Sequence, residues 1–183
     1  MYIKRSEATV SADSLEDTKA SEARVHEFMR TMPGFRWAML LRTFESPIRL
    51  AAVSMWLSPE QASAQDANTL GVDEETHGYD VATARGSMTP ATHVAIVDWE
   101  VDDETASRFT DRWNAFYHAI EDRIGSRLLR DLDSPATYAG LHVMTDGSHL
   151  NPEMFGSPVS DADGMDVRPK GVRAFEVLLL TEA

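Results

Sequence analysis

The sequence predicts an α+β protein in which two tandem ferredoxin-like βαββαβ repeats close their sheets into one barrel. A heptapeptide occurs twice, as LRTFESP at residues 41–47 and as LRDLDSP at residues 129–135, about half the chain apart. In both halves, a stretch with helical periodicity ends at a glycine and is followed by two stretches with strand periodicity. Self-similarity at this distance is typical of a duplicated supersecondary unit.

The composition is that of a globular protein with an acidic surface. The 183 residues carry a formal net charge of −13, which excludes a broad basic surface for nucleic acid. The chain has no cysteine, so disulfides and thiolate metal ligands are excluded, as is usual in a reducing cytoplasm. No apolar signal peptide is visible, and no apolar run reaches the ~18 residues of a membrane span. We therefore expect a cytoplasmic protein that binds neither nucleic acid nor membrane.

The first repeat is expected at residues 1–86. A strand at residues 2–10 precedes a helix that ends at Pro33 and Gly34. The apolar side chains of this helix recur at helical spacing, as Val25, Phe28, Met29 and Met32. Alternating patterns then predict strands at residues 35–42, 49–57 and 79–85. Ser58 and Pro59 predict the start of a short helix before the last of these strands.

The second repeat is expected at residues 87–183 and follows the same order. Residues 93–101 predict its first strand, and Asp102 and Asp103 cap the clearest helix of the chain. The apolar side chains of this helix are Ala106, Phe109, Trp113, Phe116, Tyr117, Ile120 and Ile124. Further strands are predicted at residues 126–132, 138–145 and 172–180. The polar loop 146–171 is longer than most connections, so it either covers a site or is a mobile insertion.

Each repeat should form an antiparallel sheet with helices on one face, and its other face then needs a cover. Two repeats in one chain can cover each other, which predicts a barrel with helices outside and a lumen inside. We expect an apolar row to face the helices, formed by Ala51, Val53 and Met55 with Ala139, Leu141 and Val143. We expect a mixed row to face the lumen as a pocket, formed by Leu50, Ser54 and Trp56 with Tyr138, His142 and Met144.

Local motifs point to a known family. The first helix ends in Pro-Gly-Phe, a turn follows at Ser-Pro, and residues 53–60 read VSMWLSPE. Through these motifs the chain resembles the dimeric α+β barrel superfamily, specifically its antibiotic biosynthesis monooxygenase-like (ABM) domains. The resemblance covers nearly the whole chain as two tandem copies. The family has a tryptophan at the end of the third strand, followed by a serine and an acid, and Trp56, Ser58 and Glu60 fit this pattern.

The second copy departs from the family pattern. Met144 stands where the tryptophan is expected, and Asp146 and Gly147 replace the Ser-Pro pair of the first copy. If the first copy holds a site, its counterpart in the second copy is therefore expected to be altered or lost.

The candidate catalytic residues are His142, Arg42 and Arg130. An imidazole on an internal face can act as a base near neutral pH. The two arginines occupy matching positions of the heptapeptides and can hold an anionic substrate or an oxyanion. The candidate substrate-binding residues are Trp56, Ser54, Tyr138 and Met144. The alternative for His142 and Trp56 is that both are core residues satisfied by their neighbours.

The other histidines offer no set of metal ligands. His26 and His118 are expected at surface or boundary positions on helices, His77 in solvent and His149 in the long loop. The sequence contains no H-E-x-x-H motif, no histidine–carboxylate ligand set and no glycine-rich phosphate loop. We therefore expect neither a metal nor an organic cofactor.

The resemblance implies a cofactor-independent monooxygenase acting on an aromatic or polyketide-like small molecule in the lumen. Such an enzyme needs a base or oxyanion stabiliser and a dry pocket in which the substrate anion gives an electron to dioxygen. Two alternatives are a haem-binding or haem-degrading protein and a non-catalytic small-molecule-binding barrel. The family's haem ligand lies on the helix after the tryptophan, where residues 59–70 contain no histidine. The chain is expected to be a monomer with an internal pseudo-dimer, or a homodimer.

Overall fold

A computed structural model of the protein describes residues 1–63, 75–118, 123–147, 150 and 155–183. In chain order, its helices and strands are β1 (Tyr2–Thr9), α1 (Leu15–Met29), β2 (Phe35–Thr43), β3 (Arg49–Trp56), α2 (Pro59–Ser63), β4 (Glu75–Gly86), β5 (His93–Glu100), α3 (Ala106–His118), β6 (Arg123–Asp131), β7 (Thr137–Met144), β8 (Val159–Ser160), β9 (Asp166–Val167) and β10 (Pro169–Glu182). All eight predicted strands are present. Within the described ranges, no helix has the length and apolarity needed to cross a membrane.

The eight long strands form one closed barrel in the order β1-β3-β2-β10-β5-β7-β6-β4. β3 pairs antiparallel with β1 and β2, and β7 pairs antiparallel with β5 and β6, as the ferredoxin-like order requires. The predicted fold class, α+β with a closed barrel, is confirmed by this topology.

Two compact units make up the chain. Unit 1 contains Met1–Asp80 and Phe175–Ala183, and unit 2 contains Val81–Ala174. Strands β4 and β10 cross the unit boundaries, so each strand supplies residues to both units. The repeats predicted at residues 1–86 and 87–183 divide the chain at a different place from these units.

Unit 1 is a sheet with α1 on one face. β3 pairs with β1 and β2, while β4 pairs with β1 and β10 pairs with β2. The register places Ile3 opposite Met55, so that apolar side chains stack across the strands on the face away from the helix. Leu15 and Met29 of α1 are buried against the other face.

Unit 2 repeats this arrangement with α3. β7 pairs with β5 on one side and with β6 on the other. α3 begins where the Asp102 carboxylate accepts the backbone N–H of Thr105 at 2.8 Å, as predicted for its acidic start. Phe109 and Trp113 of the helix are buried in one apolar cluster with Tyr138 of β7.

The prediction of which side chains of β3 and β7 face the helices is wrong. Trp56 of β3 shares a cluster with Met29 of α1, and Met144 of β7 shares one with Phe109 of α3. Since alternate residues of a strand point to opposite faces, the two rows expected in a lumen face the helices instead. These rows are Leu50, Ser54 and Trp56 with Tyr138, His142 and Met144.

The physical reason is that both faces of these strands are buried. Ala51 and Ala139, on the faces away from the helices, are as inaccessible to solvent as Trp56 and His142. Polarity therefore does not distinguish the faces, whereas side-chain size does. A helix stands well above the sheet on which it packs, and large side chains such as Trp56 fill the space beneath it.

The described part of the long loop packs onto unit 2. Its strands β8 and β9 pair, and Gly164 turns the chain between them with a φ of +88° that favours glycine. Phe155, Val159 and Met165 are buried in the same cluster as the side chains of α3. Residues 155–167 therefore pack over the cluster beneath α3, and we call them the strap. That the loop covers a site stays a prediction.

Candidate functional site

His142 is fully buried between the sheet and α3 of unit 2. Its side chain has no exposed surface, and its ring centroid lies 5.4 Å from that of Trp113 and 5.2 Å from that of Phe155. The imidazole is inclined to these two rings by 32° and 37°. The strand thus places an imidazole, a group that can accept or donate a proton, among aromatic rings.

A glycine two residues earlier makes room for this imidazole. A Cβ atom on Gly140 would lie 2.7 Å from Nε2 of His142 and 2.8 Å from Cη2 of Trp99. Real Cβ atoms do not approach other atoms this closely, so the strand has a glycine where two rings lie against its backbone. A glycine inside a strand pattern is a sequence signal for such a close approach.

Aromatic rings continue around His142. The ring centroids of Trp99 and Phe109 are 5.6 Å apart, and those of Phe109 and Tyr138 are 5.5 Å apart. Both pairs of rings meet edge to face. We call the group around His142 the cage, and its rings belong to Trp99, Phe109, Trp113, Tyr138 and Phe155. Met144 lies in the same cluster. Thus the structure brings three of the candidate site residues together: His142, Tyr138 and Met144.

Sequence reasoning missed four members of the cage, because only Tyr138 was among the candidate site residues. Phe109, like Trp113, was seen only as part of the apolar stripe of α3. The apolar stripe of the helix predicts that Trp113 packs in the core, and this is correct. The stripe does not predict the contact between Trp113 and His142. Trp99 could have been found, because it lies directly opposite Tyr138 once β5 and β7 are paired. Phe155 lies in an irregular segment, where no period predicts which side chains turn inward.

Arg130 lies at the edge of the cage. Its guanidinium carbon is 5.9 Å from the centroid of the Tyr138 ring, which is within reach of a cation–π contact. Its Nε donates to the carbonyl of Pro135 at 2.8 Å, and Nη2 donates to Asp103 at 3.3 Å. Arg130 therefore fixes the turn after β6 and carries a partly neutralised charge near Tyr138.

The remaining candidates lie in unit 1, in two groups. Trp56 is fully buried, stacks edge to face on Phe35 at 5.3 Å and donates its indole N–H to Ser54 at 2.9 Å. Arg42 is about one-third exposed and forms an ion pair with Glu176, its cross-strand neighbour on β10. The charge of Arg42 thus has a carboxylate partner within the protein.

His26 is a buried histidine of α1. The expectation that it lies at the surface or at a boundary is wrong, since its side chain is only 2% exposed. Burial lowers the pKa of His26 to about 4, because the charged imidazole would lose its hydration. Its Nδ1 lies 3.1 Å from the hydroxyl of Thr181. The side chain of His118 and all of His149 lie outside the described residues.

Metal and haem ligation find no support in the described part of the chain. No group of three histidine, aspartate or glutamate side chains there could hold a metal ion. The described helix α2 (Pro59–Ser63), where the family resemblance places a haem ligand, carries no histidine. The residues of this helix therefore do not fit axial ligation of haem iron.

The strap is joined to α3 by polar contacts on its outer side. Arg108 forms a two-pronged ion pair with Asp161, with Nε 2.9 Å from Oδ2 and Nη2 2.8 Å from Oδ1. Oδ1 of Asp161 also accepts the backbone N–H groups of Asp163 and Met165. The backbone bond from Met165 and the bond from Arg108 hold the pKa of Asp161 below its usual range.

Comparison with known proteins identifies the fold. The sequence matches no protein-family model and no curated protein. The structure is similar to that of a candidate monooxygenase from Fusobacterium nucleatum, with a TM-score of 0.77, 13% sequence identity and coverage of 99% of this chain and 94% of that one. This protein has the dimeric α+β barrel fold. The resemblance seen in the sequence is confirmed at the level of this fold.

Other proteins with the dimeric α+β barrel fold differ in what they do. An anthrone oxidase-like protein aligns with a TM-score of 0.64 and 10% identity over 100% of this chain and 93% of that chain. A haem-degrading enzyme from Listeria monocytogenes aligns with a TM-score of 0.55 and 11% identity over 96% of this chain and 99% of that chain. At these identities the likeness concerns the fold, and function has to be argued from the residues of the site.

Proposed function

We propose that this protein is a cofactor-independent monooxygenase that oxidises an aromatic or polyketide-like small molecule in unit 2. The observation that carries the proposal is the fully buried imidazole of His142 between the rings of Trp113 and Phe155. A base among aromatic rings can take a proton from a planar substrate in a site without bulk water. The fold shared with a candidate monooxygenase and with an anthrone oxidase-like protein supports this class of reaction.

The proposed reaction needs dioxygen as its co-reactant. His142 accepts a proton from an acidic CH2 group of the substrate, and the resulting carbanion gives one electron to dioxygen. The carbon radical and superoxide then form a C–O bond, and the proton on His142 moves to the terminal oxygen of the peroxide. Loss of water from this hydroperoxide leaves a carbonyl. One substrate and one O2 therefore give one ketone and one water, and the base is returned to its starting state.

Arg130 and Tyr138 are assigned supporting roles. The positive charge of Arg130 lies over the Tyr138 ring at the edge of the cage, where it can stabilise negative charge that develops on the substrate. Tyr138 and Met144 form walls, since both lie in the cluster that surrounds His142. The guanidinium also anchors a turn, so we expect its effect on the reaction to be smaller than that of His142.

We assign the chemistry to unit 2 rather than to unit 1. In unit 1 the indole N–H of Trp56 is held by Ser54, and the charge of Arg42 is held by Glu176. The row of β3 under α1 offers a hydroxyl and an indole but no titratable side chain. From the sequence, any site held by the first copy was expected to be altered or lost in the second, because the second lacks the family tryptophan. The position of His142 favours the second copy instead.

Oxygen consumption with a hydroxyanthrone tests the proposal. We expect His142→Gln to lower turnover by at least about 100-fold, which is the lower range for loss of a general base. The matched control is His93→Gln, since His93 lies outside the cage and its Nδ1 contacts Thr92. Turnover that continues without dioxygen, or an unchanged rate in His142→Gln, would contradict the proposal. A Soret band on addition of hemin would instead favour haem binding.

A further inference from the structure

The strap follows β7 in the second repeat and lies over the cage. The matching connection of the first repeat follows β3 and begins with the short helix α2 instead. Phe155 of the strap contacts the ring of His142, and Val159 and Met165 lie in the cluster of the cage. The strap therefore covers the unit in which the buried histidine lies on a strand, whereas the buried His26 of unit 1 lies on α1.

The strap is held in two different ways. Inside, three apolar side chains insert into the cage cluster. Outside, two arginines one turn apart on α3 bind the strap. Arg108 pairs with the carboxylate of Asp161, and Nε of Arg112 donates to the backbone carbonyl of Ser160 at 3.0 Å. The Arg108 side chain is 43% exposed, so this outer contact can be exchanged for water.

A groove marks the edge where the strap meets α3. It has a volume of about 340 Å³, and Arg112, Ala115, Phe116, Pro158, Val159 and Ser160 line it. Val159 also belongs to the cage cluster. Val159 thus lines the groove and also packs in the cluster that contains the buried rings. The volume lies within the range of small-molecule sites, at its lower end.

We infer that the strap is a releasable cover of the cage, that the Arg108–Asp161 pair is its latch, and that the groove is the entrance for the substrate. The inference rests on the proposed function, which identifies the cage as the site of reaction. One of the six residues that line the groove is charged, and it is Arg112. Together with the ring of Phe116, it suits a planar aromatic molecule with a phenolate or carboxylate group.

The latch is tested by measuring how often the cage opens. The chain has no cysteine, so His142→Cys provides a single buried thiol that a disulfide reagent labels only after opening. In this background, Arg108→Gln removes the latch. Arg168→Gln is the matched control, because Arg168 pairs with Asp166, which lies in the strap, and not with α3. We expect Arg108→Gln to raise the labelling rate about fivefold, as for loss of an exposed ion pair.

The control and the urea midpoint complete this test. We expect Arg168→Gln to change labelling less than twofold. Arg108→Gln should shift the unfolding equilibrium by no more than the same fivefold factor, because the ion pair is absent from the open and the unfolded state alike. Equal labelling rates in the two arginine variants would contradict the claim that the Arg108–Asp161 pair is the latch. Labelling that occurs only at the rate of global unfolding would contradict it as well. If His142→Cys does not fold, carbethoxylation of the native His142, followed by peptide mass spectrometry, reports on the same two variants with the same criteria.

The entrance is tested with a thiol in the groove. Ala115 is exposed and lines the groove, so Ala115→Cys can be labelled readily. We expect a saturating hydroxyanthrone, added without oxygen, to slow this labelling at least threefold, and absence of protection would overturn the entrance. Neither labelling test requires turnover. If the hydroxyanthrone is not oxidised but both labelling tests give the expected results, the proposed function is refuted. The inference that the strap is a releasable cover then still stands.

Discussion

His26 is expected to make the stability of unit 1 depend on pH in a defined window. The imidazole is buried in α1, and its pKa of about 4 lies well below the ordinary value of 6.5. The unfolded chain therefore binds a proton at a higher pH than the folded chain does. Stability from this group is fully present above pH 6.5 and is lost as the pH falls towards 4.

The size of this effect follows from the two pKa values. Each unit of pKa difference corresponds to about 1.4 kcal/mol, so the full difference corresponds to about 3 kcal/mol. Between pH 7 and pH 4.5, linkage gives a loss of about 2 kcal/mol in the free energy of unfolding. That is a large part of the stability of an ordinary domain.

Urea denaturation at pH 7, 5.5 and 4.5 measures this loss. At pH 7 we expect His26→Gln to have a lower free energy of unfolding than the unmodified protein, because the glutamine fits the site less well. Between pH 7 and pH 4.5 its free energy of unfolding should fall less than that of the unmodified protein. His93→Gln should retain the slope of the unmodified protein, since His93 is partly exposed. Parallel pH dependence of the unmodified protein and His26→Gln would refute the reasoning.

Two further predictions concern packing in unit 2. Gly140→Ala should lower the free energy of unfolding by about 1–3 kcal/mol, because its Cβ would overlap His142 and Trp99. Gly171→Ala is its control, since a Cβ there meets nothing within 4 Å, and equal melting temperatures for the two variants would contradict the overlap. Phe109→Ala should lower the free energy of unfolding by about 3–5 kcal/mol, because its ring is fully buried. Phe116→Ala is its control, since Phe116 is 39% exposed, and an equal loss in the two variants would contradict the packing assigned to the cage.

Periodicity was enough to predict the strands and the main helices, but the predicted end of α3 was wrong, because Ile124 and Gly125 lie in β6. The alternation in residues 35–42 and the stripe containing Phe109 and Trp113 are local properties, and they correspond to β2 and α3. The repeated heptapeptide also gave the order of elements, because each copy spans the end of one strand and the turn to the next. These features depend on neighbours in sequence, which a single chain displays directly.

The site depended on contacts between distant residues. Arg42 was expected to hold a substrate, yet Glu176 lies opposite it only because β10 pairs with β2. The facing of His142 could not be taken from polarity, since both faces of β7 are buried. Phe155 follows no period, so its contact with His142 becomes visible only when the strap is placed on α3. In each case the missing information was long-range pairing.

The crossing of β10 from unit 2 into unit 1 has a consequence for fragments of this protein. Residues from Phe175 to Glu182 pair with β2, although they follow the whole of unit 2 in the sequence. An N-terminal fragment that stops before Phe175 leaves backbone N–H and C=O groups of β2 unpaired at a sheet edge, where other chains can pair with them. Such a fragment should aggregate or bind a synthetic peptide of the missing sequence, and a nascent chain cannot complete unit 1 until unit 2 has been synthesised.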